Sequence, residues 1–367
     1  MKISVERNQL LAPLQVAHAV VERRQTLPIL ANVLITATEH GFRLSATDLE
    51  VELSVPGTLE ACTGPGSCTL PARKLLDLCR ALPDGTRLTL ETVGDRASVR
   101  AGRSRFSLST LPAGDFPAID VSGDALLIDL PQRELRRAIE STHFAMAQQD
   151  VRYYLNGMLL EIQDGQGRLV ATDGHRMAVT ELPVSLPAEA RRRIIVPRKT
   201  VIEALRLLGD DDAPATLGIG ADHVTLSAAD VVFKSKVIDG SFPDYERVIP
   251  RNQDKVVPVD RLALRDALGR VAIFANEKYR SVRLQLEAGL LRLSANNTEN
   301  EEAEDELEID YSGAPLEIGF NVSYLIDVLN ALRSESVSLH LSDPGSSCLV
   351  MDPADGPSRY VIMPMRL

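Results

Sequence analysis

The sequence predicts an α+β fold written three times along the chain, each copy having two helices packed on antiparallel sheets. Two series of landmarks carry that reading. Ala46-Thr47-Asp48, Ala171-Thr172-Asp173 and, more faintly, Ala295-Asn296-Asn297 recur at nearly equal intervals. Leu70-Pro71, Val196-Pro197 and Phe320-Asn321 keep step with them, each at the head of a helical pattern. Two series in phase across 367 residues imply copies of one domain of roughly 120 residues, within the commonest size range. Solenoid repeats run at only about 20–50 residues, so each copy here closes its own core. The expected boundaries are 1–125, 126–253 and 254–367.

Residues 1–6 alternate as a strand, and Asn8 is placed to cap a helix running to Val21, with Leu10, Leu11, Leu14 and Ala17 at helical spacing. Thr26-Leu-Pro-Ile-Leu30 breaks it. Leu49, Val51, Leu53 and Val55 alternate with Glu50, Glu52 and Ser54, the pattern of a half-buried strand. Leu70–Leu82 reads as a second helix, with Pro71 in its first turn and Arg73, Lys74, Asp77 and Arg80 outward. Pro83-Asp-Gly85 turns the chain into hairpins marked by Leu88, Leu90, Val99, Phe106 and Leu108. One copy is therefore strand, helix, strands, then helix and strands again. Copy two repeats this with helices over Pro131–Gln149 and Arg198–Leu208, and copy three with Asp260–Ile273 and Ser323–Leu332. The acidic run Glu299–Asp310 belongs to a strand, because Leu307, Ile309 and Tyr311 alternate with Glu306, Glu308 and Asp310.

The net charge of −11 and pI near 5.2 argue against nucleic acid when taken as a total, since a binder must neutralise phosphates. The distribution is uneven, however. Arg73, Lys74 and Arg80, then Arg133, Arg136 and Arg137, then Arg191–Arg193, Arg198 and Lys199 fall on or beside helices, so an acidic protein can still present basic helices to DNA. The four cysteines lack CxxC spacing and the six histidines are scattered, so scattered small hydrophobes are a better reading of the cysteines than a disulfide framework or a metal site. No metal or cofactor is expected. Without a signal peptide or an apolar run near the roughly 20 residues of a membrane span, the expectation is a reduced, soluble, cytoplasmic protein.

No P-loop, dinucleotide fingerprint, HExxH or GxSxG motif occurs. Asp173-Gly-His-Arg176 is the one catalytic-looking cluster, with His175 as a general base oriented by Asp173. Its echo at Asp48-Leu49-Glu50 keeps the aspartate and loses the histidine, so a turn cap is the better reading. Arg152-Tyr153-Tyr154 following Gln148-Gln149 suits base stacking and phosphate contact, or tyrosines packed at a strand start. If the copies join through their sheets, the terminal copies expose strand edges that must be covered or paired, and head-to-tail association closes a ring. Arg96, Arg100, Arg103 and Arg105 in copy one and the acidic strand of copy three fit that pairing, with Phe106 and Leu108 meeting Ile273 and Phe274. Two unrelated solvated strands are the alternative. The apolar C-terminus, Tyr360-Val-Ile-Met-Pro-Met-Arg-Leu367, suits a sheet edge with an adaptable methionine rim, either filling a core or receiving a partner's peptide.

Taken together, Thr26–Leu30, Gly102–Leu111, Gln149–Met158, Ala171–Arg176, Ile318–Tyr324 and Met363–Leu367 resemble the bacterial DNA polymerase III β subunit, the family of replicative sliding clamps. The resemblance runs from Met1 to Leu367. It implies clamp domains forming half of a six-domain ring: a head-to-tail homodimer, with no catalytic activity, whose helices line a hole for duplex DNA. It implies DNA contacts by Arg24, Arg73, Gln149, Tyr153 and Tyr154, to which Arg198 and Lys199 are added as candidates. The dimer interface expected alongside it comprises Arg103, Arg105, Phe106, Leu108, Ile273, Phe274, Glu299, Glu301 and Glu302. The resemblance also implies a hydrophobic peptide pocket between copies two and three, built from Leu155, Thr172, Gly174, His175, Arg176, Met177, Pro243, Arg247, Val248, Asn321, Tyr324, Ser347, Val361, Met363, Pro364 and Met365. The implied partners insert a short Gln- and Leu/Phe-containing motif there: the replicative polymerase catalytic subunit, the clamp-loader ATPase complex, translesion polymerases, ligase and mismatch-repair proteins. A nucleoid-associated location follows. Met177 replaces the family's leucine, a nearly volume-conserving change, and Asp343–Cys348 and Asp352–Ser358 depart from the family pattern near Gly345 and Ser347.

Overall fold

The computed structural model describes residues 1–21, 27–121, 123–352, 356 and 358–366; Arg24 lies outside them. The helices are α1 (Arg7–His18), α2 (Ala72–Ala81), α3 (Gln132–Glu140), α4 (Arg198–Leu207), α5 (Arg261–Val271) and α6 (Val322–Ala331). Several differ from the expected spans for local reasons. The cap of α1 is Glu6 and not Asn8: Glu6 and Gln9 form a reciprocal capping box. That helix ends at His18, short of Val21. Helix α3 stops nine residues before Gln149. Ser141 and Thr142 both turn their hydroxyls back onto the carbonyl of Ala138, at 2.9 and 2.8 Å, and Gln149 itself sits at φ 55°, in the left-handed region. Asp260 and Asn321, expected near the starts of helices, are the caps themselves. Asp260 accepts from the N–H of Ala263 at 2.7 Å and Asn321 from that of Ser323 at 2.9 Å.

The chain divides into two compact units, Met1–Arg133 with Ile202–Val237 and Glu134–Val201 with Ile238–Leu367. In the first unit a five-stranded antiparallel sheet runs Ala61–Gly64, Lys2–Glu6, Arg87–Val93, Arg96–Ala101, Ser104–Ser109. Helices α1 and α2 pack on each other and bury Leu10, Leu14, Leu75 and Leu76. An eight-stranded antiparallel sheet runs Leu126–Pro131, Pro214–Ile219, His223–Ala228, Val231–Lys236, Val51–Gly57, Phe42–Thr47, Asn32–Ala37, Gly66–Pro71. Its middle is a seam where the last strand of copy two pairs with Val51–Gly57 of copy one, Phe233 opposite Leu53 and Lys234 opposite Glu52.

The second unit repeats this plan. Its eight-stranded sheet runs Arg192–Pro197, Gly157–Gln163, Gln166–Thr172, Arg176–Leu182, Arg359–Ile362, Cys348–Met351, Ser336–Leu341, Lys255–Asp260. The seam here pairs Tyr360 with Ala178 and Val361 with Met177. Strand Arg359–Ile362 therefore lies inside a sheet, bonded on both sides, and not at the edge expected for the C-terminus. A four-stranded sheet runs Glu302–Glu308, Leu290–Asn296, Ser281–Glu287, Leu316–Asn321, with α5 against its acidic strand. Ile309 and Tyr311 are buried just beyond that strand and not within it. Among the described residues no helix is long and apolar enough to cross a membrane, and no cluster of three or more His, Cys, Asp or Glu is placed to hold a metal ion. Burial pushes the thiols of Cys68, Cys79 and Cys348 up to about 12, 11 and 12, which keeps them protonated and inert.

Candidate functional site

The Ala-Thr-Asp landmark builds the same turn twice. In copy one the Thr47 hydroxyl donates to the carbonyl of Val51 at 2.7 Å, while Asp48 Oδ1 accepts from the N–H groups of Glu50 and Val51 at 2.9 and 2.8 Å. In copy two Thr172 donates to Arg176 O at 2.6 Å, and Asp173 Oδ1 accepts from the N–H groups of His175 and Arg176 at 2.9 and 3.0 Å. The third turn residue has positive φ in both, Leu49 at 81° and Gly174 at 88°. Asp173 thus spends its acceptors on backbone N–H groups and on Arg176 Nε, at 3.1 Å. The His175 ring stacks on Tyr324, with centroids 6.4 Å apart. The turn-cap reading accounts for the backbone contacts of Asp173 Oδ1, and the ion pair with Arg176 takes its other oxygen.

Beside this turn lies a cavity of about 210 Å3 lined by Arg152, Tyr154, Leu155, Thr172, Gly174, Arg176, Met177, Pro243, Tyr245, Val248, Val361 and Met363. Leu155, Met177 and Val361 belong to a buried apolar cluster with Phe242 and Tyr245, so the floor is rigid. Two guanidinium groups form the polar rim. Arg176 is the more enclosed: it pairs with Asp173 and Asp327, donates to the carbonyl of Phe144 at 2.9 Å, and lies 4.5 Å from the Tyr324 ring centroid. Arg152 grips Asp150 through Nε and Nη2 at 3.0 and 2.8 Å and reaches Asp173 O; these bonds hold the Asp150 carboxyl down to about 2. The back wall is tied by Tyr245, whose hydroxyl donates to the buried carboxylate of Glu161 at 2.5 Å.

Of the residues implied for the pocket, Leu155, Thr172, Gly174, Arg176, Met177, Pro243, Val248, Val361 and Met363 line the cavity. The others stand around it. Tyr324 and His175 stack beneath Arg176, Asn321 caps α6, and Ser347 Oγ donates to Met363 Sδ at 3.0 Å. Arg247 is exposed and pairs with Asp244, and the N–H of Met365, just past Pro364, donates to Gly319 O. Arg152 and Tyr245 line the cavity without having been expected there. Tyr154, expected at DNA, lines it too and meets Tyr153 edge to face at 5.8 Å. A larger cavity of about 650 Å3, bounded by α3 and α6, has charged walls already engaged with one another, Glu140 taking both Arg136 and Arg333 at 2.9 Å.

Burial, then the Glu161 hydrogen bond, pushes the Tyr245 hydroxyl up to about 12, above the ordinary value near 10. The folded protein therefore keeps a proton that the unfolded chain loses, and stability falls as pH rises from about 10 to 12. Urea midpoints of the wild type are expected to drop more steeply across that window than those of Tyr245→Phe.

The basic candidates are less uniform. Arg73 and Lys74 are exposed on α2, Gln149 is exposed after α3, and Tyr153 is exposed at the start of the 3-10 turn Tyr153–Leu155. Arg198 is half-buried, its Nη1 3.4 Å from Met146 O, and burial and then Arg176 pull its pKa down; Lys199 is also half-buried. At the far candidate surface, Arg100 and Arg105 stand directly opposite each other in neighbouring strands, an unfavourable like-charge pair. Arg103 and Arg105 are exposed and meet no acidic partner among the described residues, while Phe106 and Leu108 are half-covered. Ile273 is 77% exposed, and Phe274 beside it is half-covered. Glu299, Glu301 and Glu302 are exposed, whereas Glu304 and Glu306 are held by Arg292 at 3.0 and 2.8 Å.

Comparison with known proteins matches three successive family descriptions of the DNA polymerase III beta subunit: the N-terminal domain over residues 1–120, the central domain over 129–244 and the C-terminal domain over 246–366. The chain is 51% identical over 367 residues to a beta sliding clamp of Pseudomonas aeruginosa and 48% identical over 369 residues to that of Escherichia coli, covering 100% of each chain in both cases. Its fold matches the crystal structure of the P. aeruginosa DNA polymerase III subunit beta with a TM-score of 0.97 at 50% identity, and that of a P. aeruginosa sliding clamp bound to griselimycin with 0.96 at 51%, each over 100% of both chains. Beta sliding clamps are non-catalytic processivity factors of replication. On full-length identity and matching fold, the chain belongs to the DNA polymerase III β subunit family.

Proposed function

We propose that two copies of the chain associate head to tail into a six-domain ring that encircles duplex DNA without sequence specificity. In this reading it tethers the replicative polymerase, with other replication and repair proteins, through peptides seated in the 210 Å3 cavity. The observation that carries the ring is an unfilled third seam. Strands Val51–Gly57 and Arg176–Leu182 each pair with the last strand of the next copy. Their equivalent in copy three is Glu302–Glu308, and the equivalent last strand of copy one is Ser104–Ser109. Among the described residues each lies at the edge of its sheet, unpaired on one side. Carrying over the register of the two existing seams sets Phe106 opposite Ala303, in the place of Phe233 opposite Leu53 and Tyr360 opposite Ala178. Arg105 then falls opposite Glu304, with Glu302 as its diagonal neighbour. The arginines without acidic partners gain them across this seam, and the half-covered Phe106 gains a lid.

Arg103→Glu combined with Arg105→Glu is expected to shift the sedimenting species from dimer to monomer at 0.1 M salt. The wild-type dimer should weaken moderately as salt rises, because exposed ion pairs are screened over about 10 Å or less. Negative-stain images of the wild type should show a six-lobed ring with an open centre; a compact particle without a hole removes the ring. DNA contacts are assigned to Arg24, Arg73, Gln149, Tyr153, Tyr154, Arg198 and Lys199, and the site of action to the cytoplasm at the nucleoid. The cavity suits apolar side chains on its floor and polar groups at its two-guanidinium rim. A labelled peptide carrying Gln and Leu-Phe is expected to bind with one site per chain. Griselimycin, found bound to a relative, is expected to compete with it.

A further inference from the structure

Seam one and seam two are built from equivalent residues, yet they hold different chemistry at the same spot. In seam two, Met177 faces Val361 across the strands and both line the cavity. In seam one the equivalent pair is Glu52 and Lys234, joined at 3.1 Å and largely buried. The segment following the seam is also repeated. Phe116-Pro117-Ala118-Ile119 in copy one stands for Phe242-Pro243-Asp244-Tyr245 in copy two. In seam one this segment is latched down: the N–H of Ile119 donates to Glu52 Oε2 at 2.7 Å, and Lys234 Nζ lies 3.4 Å from Ile119 O. Ile119 is buried. In seam two the matching tyrosine is tied backwards to Glu161, away from the seam, and the space in front of it is open. Part of the remaining frame is shared, with Thr47 for Thr172 and buried Leu30 for Leu155, whereas Leu27, Ile29, Leu49 and Val51 stand where seam two has Arg152, Tyr154, Gly174 and Arg176.

We infer that seam one is a closed copy of the peptide cavity, and that the Glu52–Lys234–Ile119 latch is what limits each chain to one peptide site. This rests on reading the seam-two cavity as the peptide site. The physical logic is that a buried ion pair with a backbone hydrogen bond fills its volume with mutually satisfied groups, leaving no apolar surface for a Leu or Phe side chain. Met177 and Val361 instead turn apolar side chains toward the cavity. The identity of this cross-strand pair thus decides whether the floor of a seam is open to an apolar side chain.

The test transplants the pair in both directions. Glu52→Met with Lys234→Val should raise the stoichiometry of the labelled Gln/Leu-Phe peptide from one to two per chain in calorimetry. Adding Met177→Glu should return it to one. A folded Glu52→Met/Lys234→Val protein, melting like the wild type and binding one peptide, overturns the inference. Should that variant fail to fold, the reciprocal exchange decides. Met177→Glu alone buries a charge without a partner, so its melting temperature should fall. Adding Val361→Lys should restore most of that loss while leaving peptide binding at least 100-fold weaker. A double variant as unstable as the single one means that no latch forms, and the inference is wrong. If the wild type binds no peptide, the reading of the seam-two cavity fails, but the recovery of melting temperature still tests the latch.

Discussion

Arg176→Ala is expected to destabilise the second unit by about 2–4 kcal/mol and to lower peptide affinity with it. The guanidinium is largely enclosed and answers two carboxylates, a backbone carbonyl and two aromatic faces, those of Tyr324 and Phe144. Removing one partner of an enclosed ion pair costs about 3–5 kcal/mol when the other charge is stranded. Here the loss is smaller, because Asp173 keeps two backbone N–H donors and Asp327 is 42% exposed and can rehydrate. In melting temperature this corresponds to a fall of roughly 5–15 °C. Arg176→Lys is expected to recover only part of it, since an ammonium cannot fork between Asp173, Asp327 and the Phe144 carbonyl at once. Thermal melts of the three proteins decide the point. A melt of Arg176→Ala within 2 °C of the wild type would mean that the aromatic and apolar contacts around it hold the unit without the guanidinium.

Much of this fold is legible in the sequence, and the reason is repetition. A pattern that occurs three times averages out the accidents of any one copy. The Ala-Thr-Asp landmarks mark a hydrogen-bonded turn that is locally encoded, so a residue such as Asp173 could be read as a cap from its echo at Asp48. Helix ends are less legible. Whether α3 stops at Glu140 or runs on to Gln149 is decided by two hydroxyls bonding to one carbonyl, and apolar spacing does not record that choice. Tyr245 and Arg152 escaped because the first enters the cavity wall through a long-range bond to Glu161 and the second through Asp150 and the Asp173 carbonyl. One signal could have found Tyr245. The Phe-Pro echo at 116 and 242 is a further landmark in step with the others, and it places Ile119 and Tyr245 at equivalent positions against the seams.

The proposed ring is expected to stay on a nicked circular duplex in 1 M salt and to leave the same DNA once it is linearised. The magnitudes separate this from ordinary binding. The chain carries 40 Lys and Arg against 51 Asp and Glu, and part of its helix-borne charge is internally engaged, Arg133 with Asp212 and Arg136 with Glu140. Non-specific contacts with phosphates give dissociation constants of about 10⁻⁴–10⁻⁶ M, and each phosphate contact weakens the constant by nearly one power of the salt concentration. At nanomolar protein and 1 M salt, where screening acts within about 3 Å, such contacts hold nothing. A topological link is indifferent to both terms, because release requires the ring to open or a DNA end to pass through it. Weak contacts then become an advantage, since they guide the duplex without arresting it. After loading, gel filtration in 1 M salt should recover protein with the circle, and a single restriction cut should release most of it unless the new ends are blocked by bound protein. Equal loss from circle and line would leave a peptide-binding scaffold that does not encircle DNA.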